Sequence, residues 1–238
     1  PQPMIDLGLF RNRLFNVNLL TGFATFISMS GTIILIPFYL ENVMGYSPRA
    51  VGLLLAVVPV AVGITAPLSG ALSDRVGTRP IAVAGLAMIV LGFVAVSTLS
   101  LDTTSAGYVL RYLPVGIGIG IFQSPNNSAV MGAVPRERLG VASGLLSITR
   151  TLGQTTGISV LGALWASRVA ARAGSALAQG ATAAPAAAQV AGLNDTFRVV
   201  IVLLSLALML AAWGLVQERR MRALAAAQSA HTSRAENP

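Results

Sequence analysis

The chain has 238 residues, of which 54% are hydrophobic and only 10% charged, with a mean hydropathy of +0.74. Soluble domains usually carry about 25% charged residues, whereas several uncharged windows here are long enough to cross a hydrocarbon core of ~30 Å, so a polytopic membrane protein is expected and a soluble globular one excluded. The net charge of +8 does not signal nucleic acid, because all 16 basic residues are Arg, fall between apolar runs and form no aromatic-interleaved basic face.

Cys is absent, which excludes disulfides, thiolate metal sites and Cys nucleophiles. The sequence opens on Pro1, and the apolar run after Arg11 and Arg13 is too long for a signal-peptide core. A segment of a longer protein is expected.

Six transmembrane helices are predicted, over 14–39, 48–72, 80–99, 105–134, 139–169 and 197–216, between a lead-in at 1–13 and a basic tail at 217–238. The first is the most polar, with Asn16, Asn18, Thr21, Ser28, Ser30 and Thr32, and Pro37 loosens its outer end. Ser47-Pro48 starts the second, with Pro where a missing N–H costs nothing; Pro59 and Pro67 predict a bend. A short charged hairpin follows, Gly70 to Pro80, containing Asp74, Arg75, Gly77 and Arg79. The third helix has no charged, Asn or Gln side chain. The fourth carries Arg111, three alternating glycines and Gln123-Ser124-Pro125-Asn126-Asn127; the fifth carries Arg150 and Gln154. An Ala-rich, low-complexity stretch at 170–193 predicts no fixed structure, the sixth helix is almost purely apolar, and the tail from Gln217 is expected to be disordered.

Arg11, Arg13, Arg75, Arg79, Arg136, Arg138, Arg219, Arg220 and Arg222 fall on one side, against Arg49, Arg168, Arg172 and Arg198 on the other. The richer side is cytoplasmic, which places both termini there.

An internal repeat relates the second and fifth helices. Gly52-Leu53-Leu54 and Gly70-Ala71-Leu72 match Gly144-Leu145-Leu146 and Gly162-Ala163-Leu164 at one constant offset. These helices run in opposite directions, so the fold class is all-α transmembrane, built from two inverted three-helix repeats, a transporter architecture. A polar group in hydrocarbon needs a partner or a water-filled cavity. The first, second, fourth and fifth helices are therefore expected to line a cavity, and the third and sixth to face lipid.

Arg150 lies near the midplane, too deep to snorkel, with Gln154 one turn on along the same face. It serves either a substrate or gating role, or a structural one against helix carbonyls and amides. Arg111 is a cavity candidate or an outward-snorkelling anchor. Gln123, Asn126 and Asn127 flank Pro125 and supply hinge chemistry, cavity lining or both. Gly116 with Gly120, and Gly153 with Gly157, have the spacing of close helix packing. All eight acids lie at helix ends, in loops or in the termini, so an intramembrane proton carrier is expected outside this segment. With His231 the single His and no paired midplane carboxylates, no catalytic or metal site and no enzyme is expected.

The hairpin resembles the signature loop of the major facilitator superfamily through Gly70, Leu72, Asp74, Arg75, Gly77 and Arg79, departing at Thr78. Pro125-Asn126, Val134-Pro135, Gly140, Ala142-Ser143-Gly144, Arg150, Gly153 and Gly157 resemble the C-terminal half of fourteen-helix drug:proton antiporters. Leu7-Gly8-Leu9-Phe10-Arg11-Asn12 and Asn194-Asp195-Thr196-Phe197 fit the same pattern, with departures at Glu41 and Thr151. The resemblance implies alternating access in a bacterial inner membrane, powered by a proton gradient with no bound cofactor. It also implies amphiphilic drugs as substrates, Asp74 as a gating latch, and a missing N-terminal half of six to eight helices that supplies the proton-carrying acid. Import of a small metabolite by symport, or a non-transporting six-helix membrane protein, are the alternatives.

Overall fold

Residues 7–173 and 180–235 are described by a computed structural model, almost entirely helical and without strands among those residues. A 3-10 turn, Leu7–Arg11, leads into α1 (Arg13–Phe38). Asn12 caps α1 by accepting from the Leu14 and Phe15 amides, and its own Nδ2 donates to the Ala133 carbonyl at 3.1 Å. Pro37 lies in the last turn, and a widened π-type turn, Tyr39–Val43, follows directly.

The second predicted helix is two pieces, α2 (Pro48–Leu55) and α3 (Val57–Val76), meeting at Ala56. Pro59 has no N–H to give the Leu55 carbonyl, which accounts for the break. α3 then continues through Val76 and α4 (Thr78–Val96) begins at once. The charged hairpin expected as a loop is thus a one-residue joint at Gly77, whose φ of +98° stops α3. Gly70, Asp74 and Arg75 belong to α3, and Arg79 to α4.

α5 (Ser105–Gly132) is capped by Thr104, which accepts from the Gly107 amide at 3.1 Å. A 3-10 turn, Arg136–Arg138, precedes α6 (Leu139–Ala173). The stretch expected to lack structure is helical at its start, turns at Ala181–Ala183 and enters α7 (Ala186–Ala235) eleven residues before the predicted start of the last helix. The tail expected to be disordered continues that helix, as its run of Ala and Leu favours. Part of the Ala-rich stretch, 174–179, lies outside the described residues.

Among the described residues, five stretches are long and apolar enough to span a membrane: Arg13–Val43, Pro48–Val76, Thr78–Val96, Ser105–Gly132 and Ala186–Arg220. α6 is long enough but too polar to join them. α3 packs on α5 as α6 packs on α1, and α4 packs on α5 as α7 packs on α1, while α4 and α7 meet each other. Exchanging the first triplet of helices with the second therefore maps each contact onto another. α1 is the most buried span, and α3 and α6 leave broad faces open.

The polarity expected to open α1 onto a cavity is turned inward instead. Thr21, Thr25, Ser28, Ser30 and Thr32 are buried and donate to carbonyls three or four residues back in their own helix.

Candidate functional site

Arg150 lies eleven residues into α6, ~16 Å along the axis, and is exposed on the surface of the chain. Its guanidinium stands over the Phe26 ring of α1, 5.4 Å from the centroid. Phe26 also borders a narrow crevice with Thr25, Met29, Gln123, Asn126 and Asn127. Phe26 therefore has the arginine of α6 on one side and the amides of α5 on another. Gln154 is exposed one turn beyond Arg150, and Ser143, Ser147, Thr151 and Thr155 continue the polar side of α6.

The amides are not equivalent. Gln123 and Asn127 are half-buried and border the crevice, whereas Asn126 is buried and ties α5 to α1, with its Oδ1 3.5 Å from the Thr21 hydroxyl. Arg111 is not brought to this group. Its Nε donates to the Thr98 hydroxyl and a terminal nitrogen to the Gly107 carbonyl, both at 3.0 Å, so it joins the turn after α4 to the first turn of α5. The cavity expectation for Arg111 is corrected to that anchor.

The four packing glycines lie at two matching helix crossings. A Cβ on Gly116 would come 3.0 Å from the Val58 Cα, and one on Gly120 would collide with the Thr65 hydroxyl. On the other side, a Cβ on Gly153 would come 2.8 Å from the Phe26 Cβ, and one on Gly157 would strike the Ile27 carbonyl.

Asp74 and Arg75 are exposed in the last turn of α3. There the helix dipole favours Arg75 and disfavours Asp74, so the aspartate gains from a positive group beyond its own helix. Arg79 forms an ion pair with Glu218 of α7 at 2.8 Å and donates to the Gly214 carbonyl at 3.3 Å. That pair was not anticipated, because Glu218 fell in the segment expected to be disordered; it is the first acid after the last apolar run. On the opposite side Asp195 holds Arg172 at 2.6 Å and Arg198 at 3.1 Å. Among the described residues Glu41, Asp74, Asp102 and Glu137 sit in turns or last helical turns, Asp195 lies nine residues into α7 and Glu218 follows its apolar run, so none is at the middle of a span.

The family profile of the Major Facilitator Superfamily matches residues 1–158. The multidrug resistance protein Stp of Mycobacterium tuberculosis is 37% identical over 165 residues, 69% of this chain and 30% of its own length. The uncharacterized transporter YebQ of Escherichia coli is 34% identical over 161 residues, 68% of this chain and 35% of its own. The riboflavin transporter RibZ of Clostridioides difficile is 32% identical over 165 residues, 69% and 36% respectively. The chain spans about a third of the length of these curated relatives. YebQ and RibZ are named as transporters and Stp for multidrug resistance.

Proposed function

Because the chain belongs to the major facilitator superfamily, we propose that it is the C-terminal six-helix half of a proton-coupled exporter of amphiphilic drugs. The observation that carries this reading is the polar face of α6. Arg150 and Gln154 lie deep in the span, exposed, where only water, a substrate or another part of the protein makes them tolerable. Phe26, Gln123 and Asn127 add an aromatic surface and hydrogen-bonding groups beside them. The drug-resistance name of a relative supports the substrate class.

In this reading the rest of the protein supplies the facing half and the proton-carrying acid, since no described acid is mid-span. The proton gradient is the energy source. The Arg-rich side is the cytoplasmic face of a bacterial inner membrane, with both termini there. Asp74 acts as the latch of the outward-facing state by reaching a positive group in the other half. The test is proton-driven ethidium efflux by the reconstituted full-length protein. Arg150→Ala should insert normally and lose at least about tenfold in rate, with Arg150→Lys retaining part of it. Wild-type efflux in Arg150→Ala would contradict the assignment.

A second reading, uptake of a small anionic or electron-rich metabolite by symport, is favoured by the same arginine, which has no carboxylate paired with it among the described residues. The name of RibZ, a riboflavin transporter, supports a small metabolite as the solute. Proton-driven riboflavin uptake without ethidium efflux would select it.

A further inference from the structure

A cleft of about 440 Å³ opens between the N-terminal halves of α1 and α6. Leu20 and Phe23 of α1 face Ile148 and Leu152 of α6 across it, and Phe10 closes one end. Asn16 and Thr149 are its polar lining, and no charged residue lines it. The Asn16 amide nitrogen is engaged by the Phe10 carbonyl at 2.6 Å.

This cleft is not the site over Phe26. Ile148 and Arg150 are two residues apart on α6, so their side chains diverge by about 200° around the helix. The cleft and the arginine therefore lie on different sides of α6. Along the axis, its lining runs from three to ten residues into α1 and from six to thirteen residues into α6, so it starts near the ends where both helices begin and reaches the depth of Arg150. Exposed arginines stand at the start of both helices: Arg11 precedes α1 and Arg13 is its first residue, and Arg136 and Arg138 flank the exposed Glu137 in the turn before α6. An apolar slot that starts near two helix beginnings bearing four arginines and one acid matches a hydrocarbon chain carrying an anionic head. Basic clusters where helices meet the cytoplasmic surface recognise such headgroups.

We propose that the cleft holds an acyl chain of an anionic phospholipid of the cytoplasmic leaflet, with the headgroup phosphate held by Arg11 and Arg13 at the start of α1 and Arg136 before α6. The lining has no acid to attract a cationic drug, and the hydrocarbon walls offer a chain what they offer any apolar group. The proposal is independent of which solute is carried, because its readout is lipid retention and not transport.

The experiment is native mass spectrometry of the full-length protein in detergent, titrated with phosphatidylglycerol or with phosphatidylcholine of the same chains. The wild type should retain phosphatidylglycerol preferentially. Leu20→Trp and Ile148→Trp fill the slot from opposite walls, and each should lose most of the retained lipid. Arg11→Gln with Arg13→Gln should reduce the preference for phosphatidylglycerol about tenfold while leaving phosphatidylcholine retention unchanged. Equal retention of both lipids by the wild type would overturn the proposal. So would unchanged phosphatidylglycerol retention in both Trp variants. Loss of ethidium binding in those variants with lipid retention intact would assign the cleft to a small solute and overturn it as well.

Discussion

Placing a guanidinium at the centre of a membrane span costs at least ~2.5–3.5 kcal/mol on insertion scales. A cation–π contact returns about 0.5–2 kcal/mol, so the Phe26 ring, 5.4 Å from Arg150, offsets only part of that cost. Water, a substrate or a facing helix must supply the remainder, which is why the polar face of α6 carries the functional argument. Glycine acts at the same scale through close approach. At Gly157 a side chain would meet the Ile27 backbone, its Cβ falling 2.9 Å from the Ile27 Cα, whereas at Gly144 there is open space within 4 Å. Gly157→Val should therefore destabilise the protein by about 1–3 kcal/mol, read as a lower thermal midpoint in detergent. Gly144→Val should leave the midpoint unchanged, and equal midpoints for the two variants would remove the packing argument.

Helices were legible where apolar length sets them, and their ends were not. The spans of α1 and α4 follow from uncharged runs after Arg13 and Arg79, and that of α5 from an apolar run whose one charge is Arg111. The hairpin read as a loop is helical because nothing before Gly77 prevents it; charged residues are compatible with a helix, and only the positive φ at Gly77 ends α3. α7 begins and ends far beyond its apolar run because Ala-rich sequence is both low in complexity and strongly helix-forming. The hydroxyls of α1 could not be assigned an environment from sequence, since a Ser or Thr that bonds back to its own helix and one that faces water look alike. The clasp of Arg79 with Glu218 was hidden for a related reason, as no local pattern links α4 to a residue on α7. Both partners are largely buried, so Arg79→Gln and Glu218→Gln should each lower the thermal midpoint. Their losses in the double variant should overlap, because the second substitution removes a group that has already lost this ion pair. Strict additivity would mean that the ion pair does not couple α4 to α7.

Across the whole chain, the exchange of helix contacts between the two triplets accords with the constant-offset repeat of the second and fifth helices. The two equivalent helices nevertheless present different open faces. α2 and α3 expose Leu53, Val60, Ile64, Leu68 and Leu72, while α6 exposes Ser147, Arg150, Thr151 and Gln154. An apolar face suits lipid or a packed helix, and a polar one requires water or partners. The central claim is that the polar face of α6 borders a watery substrate path. It is tested most directly by single cysteines in a full-length background free of other cysteine, this chain having none of its own. Gln154→Cys and Thr151→Cys should react with a water-soluble thiol reagent, and bound substrate should slow that reaction. Leu206→Cys on the exposed apolar side of α7 should not react. Gln154→Cys and Thr151→Cys as inert as Leu206→Cys would contradict the claim.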